Sequence, residues 1–401
     1  MLKRVPAKSL RLGMYIHAPE GSWMDHPDWK TQYLLTDSVE LERMQEGKAV
    51  FIIDTDKGAD ALLGSEPRRG GFGRRTTPVA ACSTQEEFGR VEAITKRASK
   101  SVGEILKQAR LGKAVDLAQT VPVIEDISSS MDRNASALVS FVRLKAADEY
   151  TYLHSVAVCA LMINLGRQLL FDESEISELG TAGLLMHIGK TALPVDLLTK
   201  PSSLTAQEMA LVRQHPIRGH EILGRTKGVS EVVLDVCKHH HERIDGHGYP
   251  YGLRGDSISL HARMAAVCNV YDARTSNRPY KQAEEPAEVL SDMFKQKDQF
   301  DESVLSAFIR SVGIYPIGSL VRLKSGRLAV VVEQNDEQLT RPVVRVFYSV
   351  VKRAGLPYQD IELATDGGDE ILSRERPERW GFNGWDRLWP QILRGSNLKA
   401  A

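Results

Sequence analysis

The hydrophobic pattern divides the chain into successive regimes. Over residues 1–65 the short runs "GMYIHA", "TQYLL" and "AVFIID" alternate apolar with polar positions, and a period of two predicts strands with one buried face. Between the last two lies a helix-like piece, "DSVELERMQEG", with Asp37 placed to cap it. This part reads as a small α+β module. From Asp56 the composition turns to Gly, Pro, Arg and Ser ("GSEPRRGGFGRRTTP"), which buries little, so residues 66–84 are expected to be a linker. Its Arg68, Arg69, Arg74 and Arg75 read as a solvated basic stretch. From 85 to 313 the apolar spacing is three and four, which predicts helices over 152–170, 175–188, 206–224, 230–241, 259–274 and 301–312. Asp172 with Glu175, and Thr205 with Glu208, have capping-box spacing at two of the starts. After Tyr315 the period returns to two. "GSLVRLKSGRLAVVVEQ" predicts a hairpin turning at Ser325-Gly326, "PVVRVFYSV" a further strand, and the tail "RPERWGFNGWDRLWP" is expected to pack its tryptophans back onto this unit. The fold class expected is mainly α: a helical bundle at 85–313, a small N-terminal α+β module, and a small C-terminal β unit with its tail at 314–401.

Charge and cysteine content narrow the function classes. The 52 basic and 52 acidic residues cancel, leaving no global field toward nucleic acid or anionic lipid. Nowhere do about 18 apolar residues run together, so no membrane span is expected and the location expected is cytoplasmic. Cys82, Cys159, Cys237 and Cys268 are widely spaced and form no CxxC pair, which predicts reduced and mostly buried thiols.

Histidines supply the candidate chemistry. His154 begins one predicted helix, His187 ends the next, His215 opens "HPIRGHEIL", and His240 and His241 close another before a glycine-rich loop. Singly, each is more often a surface or hydrogen-bonded core residue than a ligand. At helix ends that a bundle gathers, they point together to a metal centre.

The motifs "LLMHIGKTALP", "LTKPSSLT", "HPIRGHEIL", "HHERIDGHGYPYGL" and "NVYDARTSNRPYK" resemble, in order, the signatures of the HD-GYP domains, bacterial phosphodiesterases that hydrolyse cyclic di-GMP. The resemblance runs over about residues 120–311, and the N-terminal module is similar to a domain of unknown function that often precedes HD-GYP domains. It implies a helical bundle holding two or three metal ions, commonly iron or manganese, that activate a water for attack on phosphorus. Carried over to this chain, the ligand positions are His154, His215, His240 and His241. Lys190, Tyr249, Arg278 and Lys281 match positions that contact or neutralise the substrate phosphates, with Lys190 also a candidate catalytic residue. Tyr249 is placed either to stack on guanine or to pack on the bundle.

The chain departs from the family at three ligand positions. Met186 stands where the HD histidine belongs, His187 where its aspartate belongs, and Asn269 where "CNVYDA" replaces a metal-binding aspartate. Tyr150 stands where trinuclear members place a glutamate. A thioether and an amide hold hard divalent ions poorly. These departures lead to the expectation of no two-metal centre but a single divalent transition ion, Fe, Mn, Zn or Ni, on His215, His240 and His241, with His187 as a fourth nitrogen. Three functions compete on this basis: an active phosphodiesterase with an unusual metal site, a degenerate one that still binds cyclic di-GMP, and a module docking on GGDEF-type diguanylate cyclases through the GYP loop. Impaired hydrolysis with retained dinucleotide binding is the expectation, and self-association into a homodimer is left open.

Overall fold

The structure is a computed structural model that describes residues 2–7, 10, 14–20, 33–35, 44, 50–54, 80–144, 150–198, 200, 202–277, 283–335, 338–365 and 368–395. Arg278, Lys281, the four linker arginines and nearly all of the helix-like piece at 37–47 lie outside these residues. The chain forms two compact units, Met1–Pro78 with Gly166–Ile176, and Val79–Leu165 with Ser177–Ala401.

The first unit holds an antiparallel sheet of β1 (Leu2–Pro6), β2 (Tyr15–Glu20), β3 (Tyr33–Leu34) and β4 (Val50–Asp54), in the order β1-β4-β2-β3. Val5, Leu10, Met14, Ile16, Leu35, Phe51 and Ile53 form its core. Three of these strands coincide with the alternating runs. β1 was not anticipated, because "LKRVP" carries two adjacent cations and ends in proline.

The helical part of the second unit opens with α1 (Thr84–Arg110), capped by Ser83 in a capping box with Glu86, and α2 (Val121–Val142). α2 is broken at Asn134, whose backbone is extended and whose side-chain oxygen accepts the Ala137 amide, so that the break supplies its own cap. Here Glu87 of α1 is fully buried, and it accepts from Ser130 at 2.7 Å, from Arg133 at 2.7 and 2.8 Å, and from Arg90 at 3.0 Å. Burial works against that charge, but these donors win and hold its pKa down to about 2.

There follow α3 (Tyr150–Gln168), α4 (Glu173–Leu185), the one-turn α5 (Val195–Leu198), α6 (Ala206–Val212), α7 (His215–Gly224), α8 (Glu231–His239), α9 (Leu260–Thr275), α10 (Pro286–Lys295) and α11 (Glu302–Val312). The single helix expected over 206–224 is two helices. Pro216, in the first turn of α7, has no N–H and its ring excludes the carbonyl of Val212 four residues back, so the helix cannot continue through this point. Both expected capping boxes form, with Asp172 and Glu175 exchanging bonds at 2.8 and 3.1 Å and Thr205 and Glu208 at 3.2 and 2.7 Å.

The C-terminal sheet is antiparallel throughout, in the order β8-β7-β6-β5-β9: β5 (Leu320–Leu323), β6 (Arg327–Glu333), β7 (Val343–Ser349), β8 (Ala354–Glu362) and β9 (Ile371–Arg374). The β5–β6 hairpin turns at Ser325-Gly326 as expected, with Gly326 at φ +76°. In the tail helix α12 (Trp385–Leu393), the Trp385 indole donates to Gly318 O at 2.7 Å and its ring lies 6.0 Å from Phe347 of β7. Trp389 is buried edge-on against Phe88 of α1, 5.6 Å between ring centres, so the tail also packs on the helical part of its unit. Cys159, Cys237 and Cys268 are buried free thiols, their pKa values pushed up by burial, and Cys82 is half-buried. Among the described residues no helix is long and apolar enough to cross a membrane.

Candidate metal centre

His187, His215, His240 and His241 converge, each offering one ring nitrogen within 4.8 Å of the others. A close backbone contact brings the first two together. A Cβ on Gly189 would lie 1.9 Å from His215 O and 2.4 Å from Gly219 N, so only glycine lets the turn after His187 press against the start of α7.

Two helix ends then fix the imidazole tautomers. The Val212 carbonyl, deprived of a helical donor by Pro216, lies 2.8 Å from His215 Nδ1. Two carbonyls of the last turn of α8, Val236 and Cys237, lie 3.1 and 3.0 Å from His240 Nδ1. Carbonyls only accept, so Nδ1 carries the proton in both rings and Nε2 is left as a lone pair. The two Nε2 atoms face each other at 3.2 Å. Two lone pairs at that distance repel. The spacing is close to the ~3.4 Å expected of two imidazole nitrogens bound tetrahedrally to one ion.

The neighbouring rings share this character. His187 Nδ1 is buried without a hydrogen-bond partner. Burial first, then the Lys190 cation and the other imidazoles, pushes the pKa of His187 and His215 well below the usual histidine range and that of His240 down to about 3. Burial and the neighbouring imidazoles do the same to His241. The rings are therefore neutral, which is the ligating form. Four neutral imidazoles, two with carbonyl-fixed tautomers and one with an orphaned buried nitrogen, fit one transition ion, and no carboxylate joins the set among the described residues.

His154 is occupied differently. Its ring lies 4.8 Å from that of His187, but Nδ1 is 2.5 Å from Asp272 Oδ2 and Nε2 is 3.2 Å from the Asn269 side-chain oxygen. Both nitrogens are thus engaged by protein groups, all of them buried. Met186 is fully buried in the core, and its main-chain carbonyl accepts the Cys237 thiol at 3.5 Å.

The loop 246–253 closes one side. Tyr249 stacks on His241, ring centres 4.5 Å apart and planes 19° from parallel, and its amide donates to His241 O at 3.1 Å. Glu242, which the sequence did not single out, is buried and clamps the loop by accepting the amides of Tyr251 at 2.7 Å and Leu253 at 3.0 Å. Gly248 runs so close to this stretch that a Cβ would lie 2.5 Å from Glu242 Cα. Asp272 is a second such residue; it lies three residues after Asn269, and "CNVYDA" is its signal in the sequence.

The family described as HD domain matches residues 122–304, and a domain of unknown function (DUF3391) matches residues 2–120. A cyclic di-GMP phosphodiesterase of Pseudomonas aeruginosa is 44% identical over 403 residues, covering 99% of this chain and 97% of that protein. This chain belongs to the HD-GYP family. Other relatives match over shorter stretches. The cyclic di-GMP phosphodiesterase response regulator RpfG of Xanthomonas campestris is 38% identical over 36% of this chain and 39% of its own length. A 3'3'-cGAMP-specific phosphodiesterase of Vibrio cholerae is 37% identical over 33% of this chain and 26% of its own length.

Proposed function

We propose that this HD-GYP protein binds cyclic di-GMP at a single-ion, all-histidine centre and hydrolyses it feebly or not at all. The observation that carries this is the closure of His154 on Asp272 and Asn269, beside a separate cluster of four ligand-ready imidazoles. Two-metal hydrolysis needs anionic oxygens between the ions to offset their repulsion. Met186, His187 and Asn269 supply none.

His187, His215, His240 and His241 would hold the ion. When bound, it supplies positive charge and Lewis acidity to a phosphoryl oxygen. The protein's own part is to orient these rings through the Val212, Val236 and Cys237 carbonyls and to brace His241 against Tyr249. Lys190, close enough to depress four imidazole pKa values, adds a fixed cation toward an anionic phosphate. Stacking on His241 favours packing over guanine recognition as the role of Tyr249. Arg278 and Lys281 remain proposed phosphate contacts on the family match alone.

Retained hydrolysis has its own support in the Pseudomonas relative, named a cyclic di-GMP phosphodiesterase and similar over nearly the whole chain. Calorimetry with cyclic di-GMP, paired with product analysis on the same metal-loaded sample, separates the two. Binding without cleavage is expected, and turnover at the level of family members with an intact HD doublet would overturn it. Docking on a GGDEF protein is favoured by Tyr251, which stands half-exposed at the end of the loop with Lys238 over its ring. In that case loop changes, not loss of dinucleotide binding, would abolish function in cells.

A further inference from the structure

Arg213 occupies the turn between α6 and α7, two residues before His215, and its guanidinium carbon lies 5.3 Å from the centre of the Tyr249 ring. Tyr249 in turn stacks on His241, whose other ring neighbours are His187, His215 and His240. Arginine, tyrosine and histidine thus form a continuous line of contacts from the exposed rim down to the imidazole cluster.

Arg218 pairs with Glu221 and Arg243 with Asp245. Arg213 has neither a carboxylate nor a hydrogen-bond partner for its side chain among the described residues. A guanidinium placed over an aromatic ring, with no carboxylate partner, keeps its N–H donors free, and they match two oxygens of a phosphodiester.

We infer that Arg213 is a phosphate-binding residue of this site, gripping one phosphodiester of a cyclic dinucleotide from the rim while Tyr249 fixes its orientation. This rests on the dinucleotide-binding reading above and adds a specificity: the contact addresses the phosphate and not the base. Lysine at this position would keep the charge but lose the flat face and the two-pronged edge. The competing account is structural. Arg213 is the C-terminal cap residue of α6, where any cation interacts favourably with the helix dipole.

The test is calorimetry of the metal-loaded full chain with cyclic di-GMP and, separately, with 3'3'-cGAMP, for the wild type, Arg213→Ala and Arg213→Lys. We expect Arg213→Ala to weaken both ligands by the same factor, about ten- to a hundredfold, and Arg213→Lys to recover only part of the loss, with the melting temperature unchanged in both variants. Wild-type binding with an unchanged affinity in Arg213→Ala overturns the assignment and leaves dinucleotide binding standing. A loss for one ligand only overturns the phosphate assignment, and full recovery by Arg213→Lys reduces the role to charge at the helix end and overturns it too. Failure of the wild type to bind either ligand removes the dinucleotide-binding reading, and this inference with it.

Discussion

His215 and His240 present their Nε2 atoms to each other across 3.2 Å, each with its Nδ1 proton held by a helix-end carbonyl. In water such rings would turn apart or one would take up a proton. Burial blocks both, since desolvation disfavours the imidazolium and the carbonyls hold the rings. A cation between them removes the conflict, which makes this pair the most direct handle on the site.

Elemental analysis of protein loaded with excess Fe, Mn, Zn or Ni is expected to return at most one ion per chain. Replacing His240 with alanine removes a ligand and should lower affinity at least tenfold. His154→Ala should leave it much less affected, because both its ring nitrogens are already spent on Asp272 and Asn269. Two or more ions per chain, or equal losses in the two variants, would contradict the single-ion assignment.

For catalysis, the informative variant is the triple reversal Met186→His, His187→Asp and Asn269→Asp. It restores the HD pair and the late aspartate around a frame that already holds His154, His215, His240 and His241. Cyclic di-GMP turnover should rise well above that of the wild type, and the bound metal should rise toward two ions per chain. A wild type already as active as intact relatives, or a well-folded reversal with unchanged metal content, would sink this account.

Much of this architecture was legible because local chemistry and global fold agree. The capping boxes at Asp172 and Thr205, the hairpin at Ser325-Gly326 and the histidine-bearing helix ends all follow from short-range rules, and all appear in the structure. What was missed depends on tertiary partners. β8 ("AGLPYQDIE") has mostly exposed side chains and a proline, so its strand character comes from pairing with β7. The split of 206–224 was visible in Pro216 but outweighed by the continuous apolar spacing. Glu242 looks like an ordinary acid in the sequence, and Asp272, although it stands in "CNVYDA", has no partner there to give it a role. Only the folded chain places one beneath two loop amides and the other against His154.

Gly189→Ala tests whether backbone contact, and not only ligand identity, builds the site. The added methyl would sit 1.9 Å from His215 O, against main-chain atoms that cannot rotate away. Separation of the 187–190 turn from α7 should cost roughly 3 kcal/mol or more and weaken metal binding, since His187 and His215 move apart. Gly89→Ala, at an α1 position with nothing within 4 Å of the new methyl, is the matched control and should be neutral or slightly stabilising. Equal unfolding midpoints in urea for the two variants would count against the close-packing argument.

The Glu87 cluster predicts a pH dependence of its own. Its carboxylate is fully buried, bonded to Ser130, Arg133 and Arg90 with the Cys82 thiol beside it, and its pKa is held down to about 2 from an ordinary value of 4.5. A carboxyl with a depressed pKa stabilises the fold fully above its unfolded value. That contribution fades as pH falls from about 4.5 toward 2, because the unfolded chain takes up the proton first. The shift corresponds to about 3 kcal/mol. Glu87→Gln cannot ionise and leaves the partly buried Arg133 guanidinium without its anion, so it should be less stable by roughly that amount at pH 7. The arginines stay charged throughout, so the gap between wild type and variant should be constant from pH 7 to about 5 and shrink steadily toward pH 3. Chemical unfolding of both proteins at a series of pH values measures this difference, in which the carboxylates common to both cancel. A gap that stays the same down to pH 3 would mean that Glu87 acts through packing and neutral hydrogen bonds instead of its charge.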